Sequence, residues 1–223
     1  MKIVAILGSP HGPKGATGTL LAEVVRGAQA AGAEVSLLSL TDYKVGPCFA
    51  CDACHKTGTC PQKDGFTAIK AAMLEADGIV LASPNYIFSV SAQMKAVFDR
   101  CCGPLHCQAM RGKYAVAVET SGGVGGPQVQ EYIMGFERAL GCWTVGSIGA
   151  TAMELATPAA RQQTFAAAAE LGAALVKAIG DKPSYPEQVQ QHEAFFNRMK
   201  ALVQFRKDAW PYEYQLWKSN GWL

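Results

Sequence analysis

The sequence predicts an α/β protein built on an open parallel sheet of five strands, with helices on both faces. Five short strand-like segments alternate with segments of helical periodicity over the first 180 residues. The segment 78–82 is wholly apolar and others are largely so, as expected where helices cover both faces of a sheet. Repeated strand–helix–strand units of this kind form a doubly wound sheet, because their crossover connections are right-handed.

The elements follow one another in a regular order. The predicted strands are residues 2–7, 34–40, 78–82, 114–118 and 144–149. The helices between and after them cover about 20–31, 64–75, 92–100, 128–140 and 157–180. Asp64, Ser91 and Thr157 are the predicted N-caps, and Pro158 occupies a first helical position.

Composition limits the function classes. The 223 residues fit one domain, or one domain with an appendage, and 49% hydrophobic content indicates a substantial core. A net charge of +2 is too small for electrostatic capture of nucleic acid. No apolar run approaches the ~20 residues that span a membrane, and the apolar N-terminus is too short for a signal peptide. We therefore expect a cytoplasmic protein with its cysteines in a reducing compartment.

A Pro/Ser segment at 181–185 separates the sheet domain, 1–180, from a C-terminal extension, 181–223. The extension is amphipathic over 187–207 and ends in a tail with three of the four tryptophans. Such an aromatic tail should be covered, either by its own domain or by a neighbouring subunit. We favour the neighbouring subunit.

Three unusual loops follow the first, third and fourth strands, so they share the sheet edge where open α/β proteins bind ligands. The first, 8–19, is rich in glycine and hydroxyl groups and opens into a helix, an arrangement that binds phosphate. The second, 83–90, is apolar and carries Tyr86 and Phe88; the third has four glycines within 122–126. Each alone could be an ordinary turn or packed loop. Together they favour FMN over a dinucleotide, because there is only one phosphate loop and no G-x-G-x-x-G motif.

Four of the eight cysteines, Cys48, Cys51, Cys54 and Cys60, lie within thirteen residues in the spacing C-x2-C-x2-C-x5-C. A bacterial ferredoxin run differs only in its shorter last gap, so a [4Fe–4S] cluster is one interpretation. Structural zinc is a second, although its usual sites use two separated C-x2-C pairs. Redox-active thiols without metal are a third. As an insertion after the second strand (residues 45–61), the run is expected near the FMN edge.

The other titratable residues show no such pattern. Cys101, Cys102, Cys107 and Cys142 are predicted to be buried, small apolar side chains. The histidines, His11, His55, His106 and His192, are scattered, and none forms a ligand pair with helical spacing. Asp99 and Arg100 are predicted to form an ion pair at a helix end.

These features resemble the flavodoxin-like NAD(P)H-dependent FMN reductases and, among them, the iron–sulfur flavoproteins. The resemblance covers roughly the first 150 residues and rests on the following segments: Gly8-Ser9-Pro10, Gly15-Ala16-Thr17, the cysteine run, 76–86, 91–100 and 121–126. It implies a flavodoxin-like sheet of order 2-1-3-4-5, one FMN per chain, a [4Fe–4S] cluster on the four cysteines, and a homodimer or homotetramer. The C-terminal extension is absent from shorter iron–sulfur flavoproteins.

The resemblance also implies which residues hold FMN. Its phosphate would be held by Ser9, His11, Gly15, Thr17, Gly18 and Thr19. Its ring would be lined by Pro84, Asn85, Tyr86, Ile87, Phe88, Ser121, Gly122 and Gly123. The family usually has Arg where His11 stands, a phosphate-facing charge that Lys14 could supply here.

The predicted function is a flavin-dependent oxidoreductase that passes electrons between FMN and the cluster. NAD(P)H is a candidate co-substrate, and a ferredoxin-like protein, a nicotinamide or a quinone is the expected redox partner. No side chain is assigned a catalytic role, because the flavin supplies the redox chemistry. The alternatives are a cluster-free NAD(P)H-dependent FMN, quinone or azo reductase, and a redox- or zinc-sensing binding protein.

Overall fold

The computed structural model describes all 223 residues and contains one sheet of five parallel strands in the order β2-β1-β3-β4-β5. The strands are β1 Lys2–Leu7, β2 Glu34–Ser39, β3 Gly78–Pro84, β4 Tyr114–Ser121 and β5 Trp143–Thr151. The predicted fold class and strand order are confirmed. β3, β4 and β5 extend beyond their predicted carboxyl ends. Their last residues therefore belong to the sheet edge at which a ligand was predicted to bind.

Ten helices accompany the sheet: α1 Ala16–Ala30, α2 Ala53–Thr57, α3 Phe66–Glu75, α4 Ala92–Arg100, α5 Cys102–His106, α6 Gly126–Ala139, α7 Ala152–Ala156, α8 Pro158–Asp181, α9 Pro186–Phe205 and α10 Pro211–Ser219. The sequence pattern missed α2, α5 and α7. Each has only five residues, too few for a helical period to show.

The predicted helix starts differ in how they are capped. Ser91 caps α4 as predicted, with its Oγ accepting the Met94 N–H at 3.2 Å. Asp64 lies two residues before α3, and its Oδ1 accepts the Phe66 N–H at 3.1 Å. Thr157 occupies the N-cap position of α8, but its Oγ1 donates to the Met153 carbonyl instead of capping.

The core lies on both faces of the sheet, and the central strands β3 and β4 are buried at every residue. One face is covered by α3, α4 and α6, and the other by α1 and α8. The α1–α8 contact is made backbone to backbone through glycines. A Cβ at Gly27 would lie 1.9 Å from the Ala169 oxygen, and one at Gly172 would lie 2.0 Å from the Val24 oxygen.

The C-terminal extension lies against its own domain rather than projecting from it. The Gln188 side chain of α9 accepts from the Thr144 N–H at 3.0 Å and donates to the Thr144 carbonyl at 2.9 Å, which ties α9 to β5. Trp217 of α10 is fully buried, and α10 packs on α2 of the cysteine loop. Within this single chain, the aromatic tail is thus covered in part by its own domain, and contact with a neighbouring subunit stays a prediction.

None of the ten helices combines the length and the hydropathy needed to cross a bilayer.

Candidate functional site

The three loops at the carboxyl edge of the sheet are joined by hydrogen bonds. The Ser91 hydroxyl donates to the Gly8 carbonyl at 2.5 Å, which ties the start of α4 to the first loop. The hydroxyls of Thr17 and Thr120 lie 2.6 Å apart, and the Asn85 side chain donates to the Val124 carbonyl at 2.9 Å. The topology and these contacts therefore bring the three predicted loops together.

The N-terminus of α1 presents free donors at this edge. No side chain caps the helix, its first turn contains no acidic residue, and the N–H groups of residues 16–18 have no backbone acceptor. His11 and Lys14 are exposed beside it. An uncapped helix start with a nearby lysine is a favourable site for a phosphate group.

The predicted hydroxyl ligands are already engaged with protein groups. Thr17 is buried against Thr120, Thr19 donates to the Gly15 carbonyl at 3.0 Å, and the buried Ser9 accepts the His11 N–H at 3.3 Å. Gly15 and Gly18 contribute backbone, at the start and in the first turn of α1. Backbone N–H groups, more than hydroxyls, are thus the available phosphate donors.

The loop after β3 contains an unusual tight hairpin turn. Tyr86 and Ser89 exchange backbone hydrogen bonds of 2.8 and 3.2 Å, and the two residues between them have φ of 52° (Ile87) and 61° (Phe88). Two successive residues with positive φ form the kind of turn that normally uses Asn-Gly, and a β-branched residue there is strained. Ile87 is 91% and Phe88 68% exposed. Strain that presents two apolar side chains outward is typical of a ligand or partner contact.

The glycine loop after β4 packs against this hairpin. Gly125 has φ of 80°, and a Cβ there would lie 2.8 Å from Phe88 Cδ1. Gly122 and Gly123 are exposed with open space above them, and Ser121 is buried at the end of β4. The loop thus leaves accessible backbone beside the hairpin, where a planar ring could bind; Pro84 and Asn85 lead into the same edge.

A buried carboxyl group lies below the glycine loop, and the sequence analysis missed it. Glu119 is 1% exposed, its Oε1 has no hydrogen-bond partner, and a Cβ at Gly126 would lie 2.8 Å from its Oε2. Burial raises the pKa of Glu119 to about 7, against the opposing effect of a hydrogen bond from Gln130. The sequence did contain a sign of this buried acid, because Glu119 follows a run of apolar residues in the strand.

The four cysteines of the predicted run line one cavity of about 170 Å³, together with Asp99, Arg100 and Cys102. Arg100 Nη2 donates to Cys60 Sγ at 3.2 Å, and the Ala50 N–H points to Cys48 Sγ at 3.4 Å. N–H donors and a guanidinium group stabilise negatively charged sulfur. The donor set therefore fits four thiolates around one inorganic centre.

The predicted Asp99–Arg100 ion pair is wrong. Asp99 pairs with Lys95 one turn earlier on α4, whereas Arg100 binds Asp64 Oδ2 at 2.5 Å. Neighbouring residues on a helix point about 100° apart. Asp99 therefore reaches Lys95 on the same helix face, whereas Arg100 points towards Asp64. Arg100 thereby bridges the start of α3 and the cysteine cavity.

Helix α4 separates the two candidate sites. Its N-cap, Ser91, is bonded to the first loop of the sheet edge, and its last residue, Arg100, lines the cysteine cavity. Nine helical residues rise about 14 Å. The two ends of α4 therefore connect the sheet edge with the cysteine cavity.

A buried polar cluster adjoins the cysteine cavity and was not predicted. His55 Nδ1 lies 2.5 Å from Glu213 Oε1, and His106 Nδ1 lies 3.2 Å from Glu213 Oε2. Cys102 Sγ lies 3.6 Å from His106 Nε2. The imidazole rings stack at 4.9 Å, and Trp210 packs on both of them. None of the histidines forms a ligand pair with helical spacing, as predicted, but the fold brings His55 and His106 together around Glu213, up to 158 positions away in sequence.

The charges in this cluster stabilise one another. Burial alone would lower the pKa of His106, but bonds to Cys102 and Glu213 raise it to about 9. The hydrogen bonds of His106 and His55 lower the pKa of Cys102 to about 6. Cys101, Cys107 and Cys142 are buried as predicted. Cys102 is only half-buried, and its sulfur contacts the imidazole of His106.

Comparison with known proteins agrees with this geometry. The sequence profile described as NADPH-dependent FMN reductase matches residues 1–156. The chain belongs to this family. It is therefore a flavin-dependent oxidoreductase, as predicted.

Two relatives of this chain are named as iron–sulfur flavoproteins. An iron–sulfur flavoprotein of Archaeoglobus fulgidus is 28% identical over 229 residues, which cover all of both chains. The iron–sulfur flavoprotein MJ1083 of Methanocaldococcus jannaschii is 42% identical over 100 residues, covering 45% of this chain and 51% of its own. The matches confirm the predicted resemblance.

Among solved structures, a flavone reductase has a TM-score of 0.66 at 17% identity, covering 81% of this chain and 64% of its own. An archaeal flavodoxin has a TM-score of 0.55 at 16% identity, covering 81% of this chain and 99% of its own. At such identities the similarity shows the flavodoxin-like fold alone.

Proposed function

We propose that this protein is an iron–sulfur flavoprotein, in which FMN at the carboxyl edge of the sheet exchanges electrons with a [4Fe–4S] cluster in the cysteine cavity. The observation that carries the proposal is the convergence of Cys48, Cys51, Cys54 and Cys60 on one cavity. The cavity lies at the far end of α4 from the three loops at the flavin edge. Membership in the FMN reductase family supports the proposal that the protein binds FMN. The names of its relatives, iron–sulfur flavoproteins, support the proposal of a cluster.

The FMN site divides into two parts. The free N–H groups at the start of α1 would hold the phosphate, with the positive charge of Lys14 and the side chain of His11 nearby. The Ile87–Phe88 turn and the exposed backbone of Gly122 and Gly123 would hold the ring. Bound FMN supplies two-electron redox chemistry, and backbone groups near the ring set its potential.

The cluster site depends on side chains and on two strained backbone positions. Ala50 and Asp52 have φ of 51° and 57°, so the loop reverses direction between the cysteines. Arg100 contacts Cys60, and Ala50 N–H contacts Cys48, which gives donors to two of the four sulfur ligands. Hydrogen bonds to sulfur are among the factors that set the reduction potential of a cluster.

The redox partners and the assembly follow from the exposed surface. Ile87, Phe88 and Val124 are exposed apolar side chains at the flavin edge. A second copy of the chain, in a homodimer or homotetramer, would cover such side chains, as would a bound substrate ring. NAD(P)H or a quinone reacts at the flavin, and a ferredoxin-like protein exchanges single electrons with the cluster through the exposed Cys48–Cys51 side of its cavity.

The test is the cofactor content of the protein purified without oxygen. The proposal predicts one FMN, about four iron atoms and about four sulfide ions per chain. It also predicts that NADPH bleaches the flavin and that a ferredoxin then accepts electrons. FMN without iron would establish the cluster-free reductase instead. Stoichiometric zinc with no flavin would establish a metal-sensing protein.

A further inference from the structure

The buried cluster beside the cysteine cavity has the arrangement of a metal site. One ligand atom from each of His55, Cys102 and His106 lies within 4.8 Å of the others. We propose that these three residues bind a mononuclear divalent transition metal such as Zn²⁺, with Glu213 orienting both imidazoles. Its three ligands differ from the four cysteines of the proposed cluster site, although the two sites adjoin, and the metal site does not require the flavin.

The tautomers of the two histidines are the first support. Glu213 accepts hydrogen bonds from His55 Nδ1 and His106 Nδ1 through its two oxygens. The Nε2 atoms are therefore left as the ligand atoms, and His106 Nε2 already lies 3.6 Å from Cys102 Sγ. Histidines that bind metals almost always donate their other N–H to a carboxylate or carbonyl oxygen. One carboxylate here does this for both rings.

Burial and rigidity are the second support. Glu213 is 0% exposed, and His55 and His106 are buried between α2, α5 and α10. Trp210 packs on both rings, and Trp217 Nε1 donates to the His106 carbonyl at 3.0 Å, which fixes the backbone of α5. Two imidazoles and a thiolate form a mixed nitrogen–sulfur ligand set that suits zinc and its neighbours in the transition series.

The ligand set has an open fourth position. Zinc sites with three protein ligands complete their tetrahedron with water or another ligand. Both His55 and Cys102 also line the cysteine cavity, so the proposed metal site borders the proposed cluster site. Binding displaces any proton on Nε2 or on the thiol into solvent, because only the deprotonated groups coordinate the metal.

The site joins three short elements. α2 and α5 have five residues each, a length at which a helix is marginal without tertiary contacts. His55 lies on α2, Cys102 and His106 lie on α5, and Glu213 comes from α10. A metal at this point links the cysteine loop to the sheet domain and couples both to the C-terminal extension.

The experiment uses Co²⁺ as the probe with the intact, anaerobically purified and chelator-washed protein. Wild type should bind one Co²⁺ per chain outside the cluster, with thiolate-to-metal charge-transfer absorption. Cys102→Ala and His106→Gln should each lose this absorption. The matched variants Cys107→Ala and His192→Gln, which change a buried cysteine and a buried histidine outside the ligand set, should keep it.

Further variants separate this site from its neighbours. Glu213→Gln should weaken Co²⁺ binding about 10- to 100-fold, the usual effect of losing a carboxylate that orients a ligand. Cys60→Ala should leave the Co²⁺ signal unchanged. The proposal is overturned if wild type binds no Co²⁺, or if the absorption survives in both Cys102→Ala and His106→Gln. It is equally overturned if Cys102→Ala loses iron and sulfide, because Cys102 would then be a cluster ligand. None of these outcomes depends on FMN content.

Discussion

The two ends of α4 are built in different ways. At its N-terminal end, the flavin edge is formed by three contiguous loops that the sheet order places side by side. Its donors are mainly backbone groups. At the C-terminal end, the cysteine cavity and the histidine cluster are assembled from side chains of the cysteine loop, α4, α5 and α10. The loops at the sheet edge thus follow from topology, whereas the histidine cluster depends on the C-terminal extension, which supplies Glu213 and Trp210.

Removing the buried tryptophan of the extension should affect only the second region. Trp217 is fully buried and bonded to the His106 carbonyl, so Trp217→Ala should cost about 3–5 kcal/mol of local stability. Hydrogen exchange should become faster over α9, α10 and α2, while FMN content stays unchanged. Phe205→Ala, which removes an 82% exposed side chain of α9, is the matched control and should change neither. Loss of FMN in Trp217→Ala would show that the two regions are not independent.

Neutralising the buried acid should affect the flavin edge in a pH-dependent way. The carboxyl group of Glu119 has a pKa of about 7 when folded, against 4.5 as the ordinary value. Its contribution to stability is therefore full below about pH 4.5 and is lost as the pH rises towards 7. Glu119→Gln should gain about 1–3 kcal/mol relative to wild type between pH 5 and pH 8, measured by urea unfolding. The exposed Glu75→Gln is the control; equal effects of the two substitutions would mean that Glu119 is not desolvated.

Relieving the strained turn should have the smallest effect. Ile87 holds φ of 52° with its side chain exposed, so Ile87→Gly should raise the free energy of unfolding by about 1 kcal/mol. Val124→Gly, an exposed position in the next loop without positive φ, should not stabilise the protein. FMN affinity should fall in Ile87→Gly if the turn is held in place for the flavin. A destabilised variant would indicate that Ile87 makes contacts that outweigh the strain.

Much of the fold could be predicted because its signals are local. Apolar strands such as 78–82 and the Ser91 cap are encoded within a few neighbouring residues, and parallel connections leave few topologies. The loops of the flavin edge were predictable for the same reason. Their position follows from the ends of the strands, and glycine shows where backbone is exposed.

The rest could not be predicted, because it depends on packing between distant segments. His55 and Glu213 are 158 positions apart, and no periodicity relates them. Arg100 was predicted to pair with its neighbour Asp99, but it pairs with Asp64, which lies just before α3. Glu119 carried a signal, a charged residue within an apolar strand, but only the structure shows that it has no partner for Oε1.

The most direct test of the account is the cofactor content of Cys60→Ala purified without oxygen, with Cys142→Ala as the matched control. Cys60 lines the cysteine cavity and accepts from Arg100, whereas Cys142 is buried in the core. The account predicts that Cys60→Ala loses its iron and sulfide and retains one FMN per chain, while Cys142→Ala retains both. Iron that persists in Cys60→Ala would contradict the ligand assignment. Simultaneous loss of FMN would contradict the separation of the two sites along α4.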